Sequence, residues 1–469
     1  MKQLILHPLV FTLLLLVSLV YFVIGFQLIS TNATFSKNIE RFFIVLSMLI
    51  ISGMTINFTG RLHPSAFYVH GQTLPYIVMA FSFYTPFFLL LSSRLAYTLK
   101  ESVFVLSTLV KRVPFFFIFI ILRLISSISS GTPVYTLRAM IILLVVTSCF
   151  IYVGKQYNMQ GLFTILLWHH GVVLLLSLFF GRGENWQGIY IHKNFFGFTM
   201  AMSVILFYLQ SVRVPKYRLF FIGIAAIAVF CTQQSHSGMG KVLLIILILL
   251  LVFLRFIRRL PPRLAFASMG IFLAIGVSIV ILITDNAEYI VVEKLGKSMT
   301  LTGRTYIWPL VVAAINRRPL FGYGYEGFWQ FWRGLDNPAI TIRPPELNGF
   351  IPESSHNGYL EIGLEVGWIG LIVFILSLVT GIYYGVLHLT RSKEPEAVLP
   401  LLIFTWIVMI SITEVGINQI TMLWIVYVLM TTRLTLDTAE NYSNNPQLQK
   451  HLALESRSPF NRTRPREGG

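Results

Sequence analysis

Charge of either sign is scarce in this chain. Only 12% of its 469 residues are Asp, Glu, Lys or Arg, about half the share a soluble domain carries, which excludes an ordinary water-soluble domain. Cysteine is nearly missing. Cys149 and Cys231 both lie inside apolar runs, so neither a disulfide framework nor a metal–thiolate site can be built from them. The segments expected outside the membrane hold no Asp-x-Asp pair, which agrees with metal-free chemistry there; no cofactor is expected. No internal repeat is found. The first apolar run, Leu9 to Ile29, is too long for a signal-peptide core and has no small-residue cleavage site after it, so it is predicted to be a retained span.

What is present is hydrocarbon: 55% of residues are hydrophobic and the mean hydropathy is +0.74. Apolar runs near twenty residues long mean helices and not barrel strands. The expected fold is all-α, a polytopic bundle of about twelve spans (eleven to thirteen) under one large extracytoplasmic loop. The net charge of +17 does not point to nucleic acid. Its Lys and Arg residues lie between apolar runs and in the tail, the positive-inside pattern.

Candidate spans fall near 9–29, 39–57, 74–92, 113–131, 134–154, 159–181, 192–211, 217–233, 240–257 and 263–285, then near 361–388, 397–415 and 418–433. The connections holding Arg94/Lys100/Lys111/Arg112, Arg213/Lys216/Arg218, Arg255/Arg258/Arg259/Arg263 and Arg391/Lys393 are expected to be cytoplasmic. Alternation then places 182–192, 232–240, 286–356 and 415–418 outside. Ahead of Arg94 the count stays open: the segment 74–92 carries Pro75 and Pro86, and 39–57 is short. The chain therefore divides into N-terminal spans (1–285), an outer loop (286–356), C-terminal spans (357–433) and a basic tail (434–469) expected to be disordered and to touch anionic lipid. The aromatics Trp308, Tyr323, Tyr325, Phe328, Trp329 and Trp332 suggest that the loop is an ordered cap.

Four polar clusters fall on the outer side. Tyr190-Ile191-His192-Lys193-Asn194-Phe195-Phe196-Gly197 opens a span. A helix start exposes unsatisfied N–H groups, and Lys193 beside it makes a phosphate seat; the plainer alternative is a lysine reaching up to water. Gln233-Gln234-Ser235-His236-Ser237-Gly238-Met239-Gly240-Lys241 is a tight hairpin needing Gly and Ser in any case, to which His236 and Lys241 add chemistry if they face the same cavity. Arg304 opens a short predicted helix, Tyr306 to Ile315, that closes on Arg317 and Arg318. Guanidinium groups offer bidentate contacts to phosphate oxygens, although loop arginines are commonly just solvated.

The fourth cluster, Glu353-Ser354-Ser355-His356-Asn357-Gly358-Tyr359, delivers an imidazole to the start of an apolar helix. His356 is placed to act as base or acid; a hydrogen-bonded structural histidine is the alternative. Glu365 lies inside that helix, where an ionisable group is costly, and Arg123, also mid-span, is a possible counter-charge.

The order of these features resembles the O-antigen ligase and polysaccharide polymerase superfamily of bacterial membranes. The shared pattern covers roughly 185 to 380: His192-Lys193-Asn194-x-x-Gly197, the Ser235-x-Ser237 turn, Gly303-Arg304-x-x-x-Trp308, Arg318-Pro319-Leu320-Phe321-Gly322-x-Gly324, and His356-Asn357-x-Tyr359-Leu360 running on to Glu365-x-Gly367-x-x-Gly370. The resemblance implies a metal-independent glycosyltransferase with an undecaprenyl-diphosphate-linked glycan as donor and a saccharide or glycolipid as acceptor. It implies a His near the acceptor hydroxyl, here His356, and an Arg on the diphosphate, here Arg304. Relatives often carry a cation in the Ser-x-Ser turn, where this chain has His236, with Lys241 a turn later.

Substrate contacts are thus expected from Lys193, His192, His236, Lys241, Arg317, Arg318, Asn357 and Trp308, with Trp308 and Trp329 offering stacking faces to sugars. Glu365 and Arg123 stay structural or uncertain. The expected place is the bacterial inner membrane with the site facing the periplasm, other polysaccharide assembly proteins being possible partners. Ligase and polymerase remain open. The competing class is a multi-span transporter of an anion such as bicarbonate, or of a lipid-linked sugar. It predicts paired broken helices in two related halves, and no such symmetry is found in the sequence.

Overall fold

The computed structural model describes residues 33–52, 105–180, 186–190, 192–285, 304–345, 349–417 and 419–438, with isolated positions 23, 27 and 31. Most of the predicted span near 9–29, all of that near 74–92, the first part of the outer loop and the tail beyond residue 438 lie outside the described residues.

Among the described residues the elements are helical: α1 Ala33–Ile51, α2 Val105–Arg112, α3 Pro114–Ile128, α4 Pro133–Gln156, α5 Met159–Phe180, α6 Lys193–Arg213, α7 Arg218–Gln234, α8 Gly238–Ile257, α9 Pro262–Asp285, α10 Arg304–Arg317, α11 Gly358–Arg391, α12 Leu399–Thr413 and α13 Met422–Thr438. Eight of the described helices are long and apolar enough to cross a membrane, or nine if α2 and α3, bent by 95° at Val113, cross together. The chain is a multi-pass membrane protein. The predicted total of about twelve spans includes segments outside the described residues.

Starts and stops follow local chemistry. Pro114 and Pro133 occupy first-turn positions, where a missing N–H costs nothing. Ser237 and Asn357 cap α8 and α11 by accepting backbone N–H groups. The α12 sequence is apolar all round and the helix is almost wholly buried, as expected of a central helix. The indole of Trp406 on α12 donates to Phe198 O of α6 at 3.0 Å. Trp424 of α13 likewise donates to Thr147 Oγ1 of α4 at 2.9 Å. Bonds of this type contribute about 0.6–2 kcal/mol each between helices in lipid. Peripheral helices expose Trp168, Leu219, Phe256 and Ile271, side chains suited to lipid contact.

Two glycine-dependent contacts shape the end of the bundle that carries the polar clusters. At the heads of α6 and α8, a Cβ on Gly240 would lie 3.0 Å from the Gly197 backbone, and one on Gly197 would lie 2.8 Å from Ser237 Cβ. Small residues here let the two helices cross closely. The second is a break within α11 at Gly367, whose φ of 71° and ψ of −176° are non-helical. Residues 358–366 form a separate helical piece ending in free carbonyls. The outer loop satisfies them: Tyr323 N–H donates to Leu364 O at 2.7 Å and Gly324 N–H to Glu365 O at 3.0 Å. In return Trp368 N–H donates to Pro319 O at 2.8 Å. The Arg318–Gly324 motif is thus the dock for the Glu365–Gly370 motif, a relation that the sequence pattern leaves open.

Candidate active site

Glu414, in the turn after α12, is where the polar clusters meet. Arg304, the first residue of α10, donates from Nη2 to its Oε1 at 3.0 Å. Asn194, second residue of α6, donates from Nδ2 to the same oxygen at 2.7 Å. His356 Nδ1 lies 3.8 Å from the other oxygen, Oε2. Ser237 Oγ donates to Asn194 Oδ1 at 3.0 Å, so the Ser-x-Ser turn holds the amide in the orientation that faces Glu414. One carboxylate is therefore bracketed by a guanidinium, an amide and an imidazole from three separate helix starts.

The electrostatics follow from that packing. Burial alone would raise the Glu414 carboxyl, but the nearby His356 imidazole, the Arg304 charge and the Asn194 amide outweigh it and hold the group below its ordinary value. His192, at the cap of α6, is shifted down by burial, with Lys193, His356 and Arg304 adding to the shift and Glu414 opposing it. Those groups therefore share one electrostatic neighbourhood. His356 is 40% exposed and Glu414 only 8%, so an incoming molecule can reach the imidazole while the carboxylate stays behind it.

The His356 turn is built for this position. Its backbone is left-handed, φ 49°, a conformation that costs a non-glycine residue about 1–2 kcal/mol. Bonds on both sides hold it there. Ser355, fully buried, donates from its N–H (3.1 Å) and Oγ (2.6 Å) to Glu361 Oε2. Asn357 caps α11 with its oxygen, while its Nδ2 donates to Ile412 O at 3.1 Å. Trp308 Nε1 donates to Ser355 O at 3.1 Å. Arg304 and Trp308 are one helical turn apart, so a single face of α10 supports both Glu414 and the turn beside it.

A small apolar cavity of about 10 Å³ lies among Phe198, Met239, Leu243, Ile246, Val280, Met409, Ile410 and Thr413, the last of these directly preceding Glu414 in the chain.

Of the residues singled out from sequence, His356, Arg304, His192 and Lys193 come together. Asn357 and Trp308 come with them, but their polar atoms are engaged in holding the His356 turn. His236 is exposed, with φ 51°, and Lys241 is half-buried; the described bonds joining that turn to the cluster run through Ser237 instead. Arg317 and Arg318 stand at the other end of α10, about 20 Å along the axis from Arg304. Both are exposed, and Arg318 sits over the Tyr323 ring at 4.8 Å. Arg123 and Glu365 do meet, at 2.6 Å, inside the bundle and away from Glu414. The sequence reading missed Glu414 and the orienting role of Asn194. The available signal was an acid directly after an apolar helix, at a predicted outer turn.

Residues 220–375 match the model of the O-antigen ligase family. That match, with the relatives that follow, supports the O-antigen ligase and polymerase superfamily. The exopolysaccharide production protein ExoQ of Rhizobium meliloti (strain 1021) is 27% identical over 298 residues, 60% of this chain and 67% of that protein. A Rickettsia prowazekii (strain Madrid E) protein bearing the name "Putative polysaccharide ligase RP358" is 38% identical over 72 residues, 15% of this chain and 17% of its own length. The superfamily points to a membrane glycan-processing enzyme of the polysaccharide ligase or polymerase kind. The matched stretch runs from α7 into α11 and includes Arg304 and His356, whereas Asn194 and Glu414 come from outside it.

Proposed function

We propose that the protein is a glycosyltransferase that moves a glycan from an undecaprenyl-diphosphate carrier to a sugar hydroxyl, on a saccharide or a glycolipid, in surface or exopolysaccharide assembly. The observation that carries the proposal is the single carboxylate, Glu414, bracketed by Arg304 and His356 at the heads of neighbouring helices. The diphosphate sits against Arg304 and Lys193, whose charges offset the negative charge that grows on the leaving group. Glu414 takes the Nδ1 side of His356 and leaves Nε2 to accept the proton of the acceptor hydroxyl. The acceptor oxygen then bonds to the sugar C1 as the C1–O bond to the diphosphate breaks, and the carrier departs as the diphosphate. Half-exposed loop aromatics such as Trp329 provide faces for sugar rings. The setting is the bacterial inner membrane with the cluster on the periplasmic side, where other assembly proteins supply the donor.

The test is transfer by purified protein in lipid vesicles, given a lipid-diphosphate glycan and an acceptor. His356→Ala should abolish product, and Arg304→Lys should lose most of it because a lysine cannot make the planar bidentate contact. Product formation undiminished in both would refute the proposal, as would movement of intact donor across the vesicle without bond exchange. In cells, loss of chain length with single repeats retained identifies a polymerase; free polymer unattached to its acceptor identifies a ligase.

A further inference from the structure

The charged pair inside the bundle has no part in the reaction as drawn above. Arg123 of α3 is fully buried, and its Nη2 donates to Glu365 Oε2 at 2.6 Å. Its guanidinium carbon lies 4.4 Å from the Tyr325 ring centroid, 5.0 Å from Phe119 and 5.6 Å from Trp424. One cation thus touches α3, α13, the outer loop and α11, and aromatic faces on several sides hold it still. Glu365 is the last residue but one before the break at Gly367. Its Oε1 also accepts the N–H of Glu326 at 3.3 Å, which ties it to the loop that caps the helical piece.

That piece, 358–366, is a short rod with His356 just ahead of it. The break sets the rod apart from the rest of α11; buried Ile362 and Leu364 seat its middle, Gly363 lies close against Ile315 of α10, and the bonds at its two ends set its angle. At the head, Asn357 holds Ile412 O. At the tail are the loop N–H bonds to Leu364 and Glu365 and the Glu365 side chain itself. The tail lies about 14 Å from the head at helical rise, so a small tilt at Glu365 becomes an ångström-scale displacement at His356. A displacement of that order is enough to cost a large factor in rate.

We propose that Arg123 and Glu365 are positioning residues: their buried pair sets the angle of the 358–366 rod and thereby the placement of the His356 imidazole against Glu414. This rests on the reading of His356 as the base. Removing one partner leaves a buried charge and is expected to damage the fold, whereas replacing both with apolar residues of similar volume is commonly tolerated. The double variant Arg123→Met/Glu365→Leu therefore separates positioning from folding. Three quantities are measured on full-length protein: thermal melting in detergent, kcat and KM with the lipid-diphosphate donor, and the rate at which diethyl pyrocarbonate labels His356, read by peptide mass with His236 as internal control.

The expected result is a parental melt, a kcat down about tenfold or more, a donor KM within about twofold, and a His356 labelling rate changed about threefold or more while that of His236 holds. Recovery of kcat together with the melt would reduce the pair to folding glue and overturn the proposal. So would a kcat loss with parental His356 labelling, or a loss confined to KM. Should the double variant fail to fold, Arg123→Lys, which keeps the charge but loses the planar stacking, is put to the same readouts. If the parent itself transfers no glycan, the proposed function fails, while the labelling comparison still tests whether the pair places His356.

Discussion

Arg304 and Glu414 pair at 3.0 Å across 110 residues of sequence, and the carboxylate that holds the guanidinium also faces His356. Under the proposed function a donor diphosphate would compete with Glu414 for Arg304, and the carboxylate it displaced would still face His356. The arrangement couples occupation of the anion seat to the state of the imidazole.

Glu414→Gln keeps an oxygen for Asn194 but removes the charge. Arg304 becomes freer for phosphate and His356 loses its partner, so donor KM should hold or fall while kcat drops about tenfold, a barrier increase of about 1.4 kcal/mol. Steady-state transfer assays check it; an unchanged kcat would mean that Glu414 does not orient the base.

At His356 function and stability should separate. Glycine accepts the left-handed backbone freely, so His356→Gly should lose transfer by about a hundredfold or more while its melting temperature stays level or rises. A lower melt would show that the imidazole's contact with Glu414 outweighs the backbone strain.

The break in α11 is sterically exacting. A Cβ on Gly367 would lie 2.3 Å from Pro319 O at positive φ, so Gly367→Ala should cost about 2 kcal/mol or more. Gly223, exposed on α7 with open space around it, is the control; alanine there should leave the melt unchanged or raise it slightly.

Glu326 in the outer loop is pushed up to about 7, first by burial and then by Glu365, with Arg123 opposing. A carboxyl that binds its proton more tightly when folded adds stability at low pH, and that contribution is lost as pH rises through the folded value. Melting temperature should therefore fall between about pH 5 and 7 and level off above. Glu326→Gln should flatten that slope, and an identical slope in parent and variant would rule Glu326 out as its source.

Much of the bundle was legible because lipid demands long apolar helices and the Lys and Arg between apolar runs mark where they turn. That Arg304 and His356 lie near each other was anticipated because both open helices on the same predicted side, although a solvated arginine and a structural histidine were the plainer readings of each alone. Glu414 was not, since a single acid carries no pattern and its partners lie 58 to 220 positions away. The same limit hid the role of Trp308: a tryptophan in an outer loop suggests a sugar platform, and only coordinates show its N–H committed to Ser355. Arg317 and Arg318 sit in a familiar motif, yet helix length alone carries them away from Arg304. The motif's glycines instead serve the dock on α11.

The interruption at Gly367 also bears on how much of α11 is needed to traverse the bilayer. Residues 368–391 alone would reach about 36 Å, already more than a hydrocarbon layer of about 30 Å. The stretch ahead of the interruption is thus surplus to crossing, and its residues 361–366 are buried within the protein instead. A hydrophilic product of the proposed reaction, released beside it, would not have to thread through oil to leave.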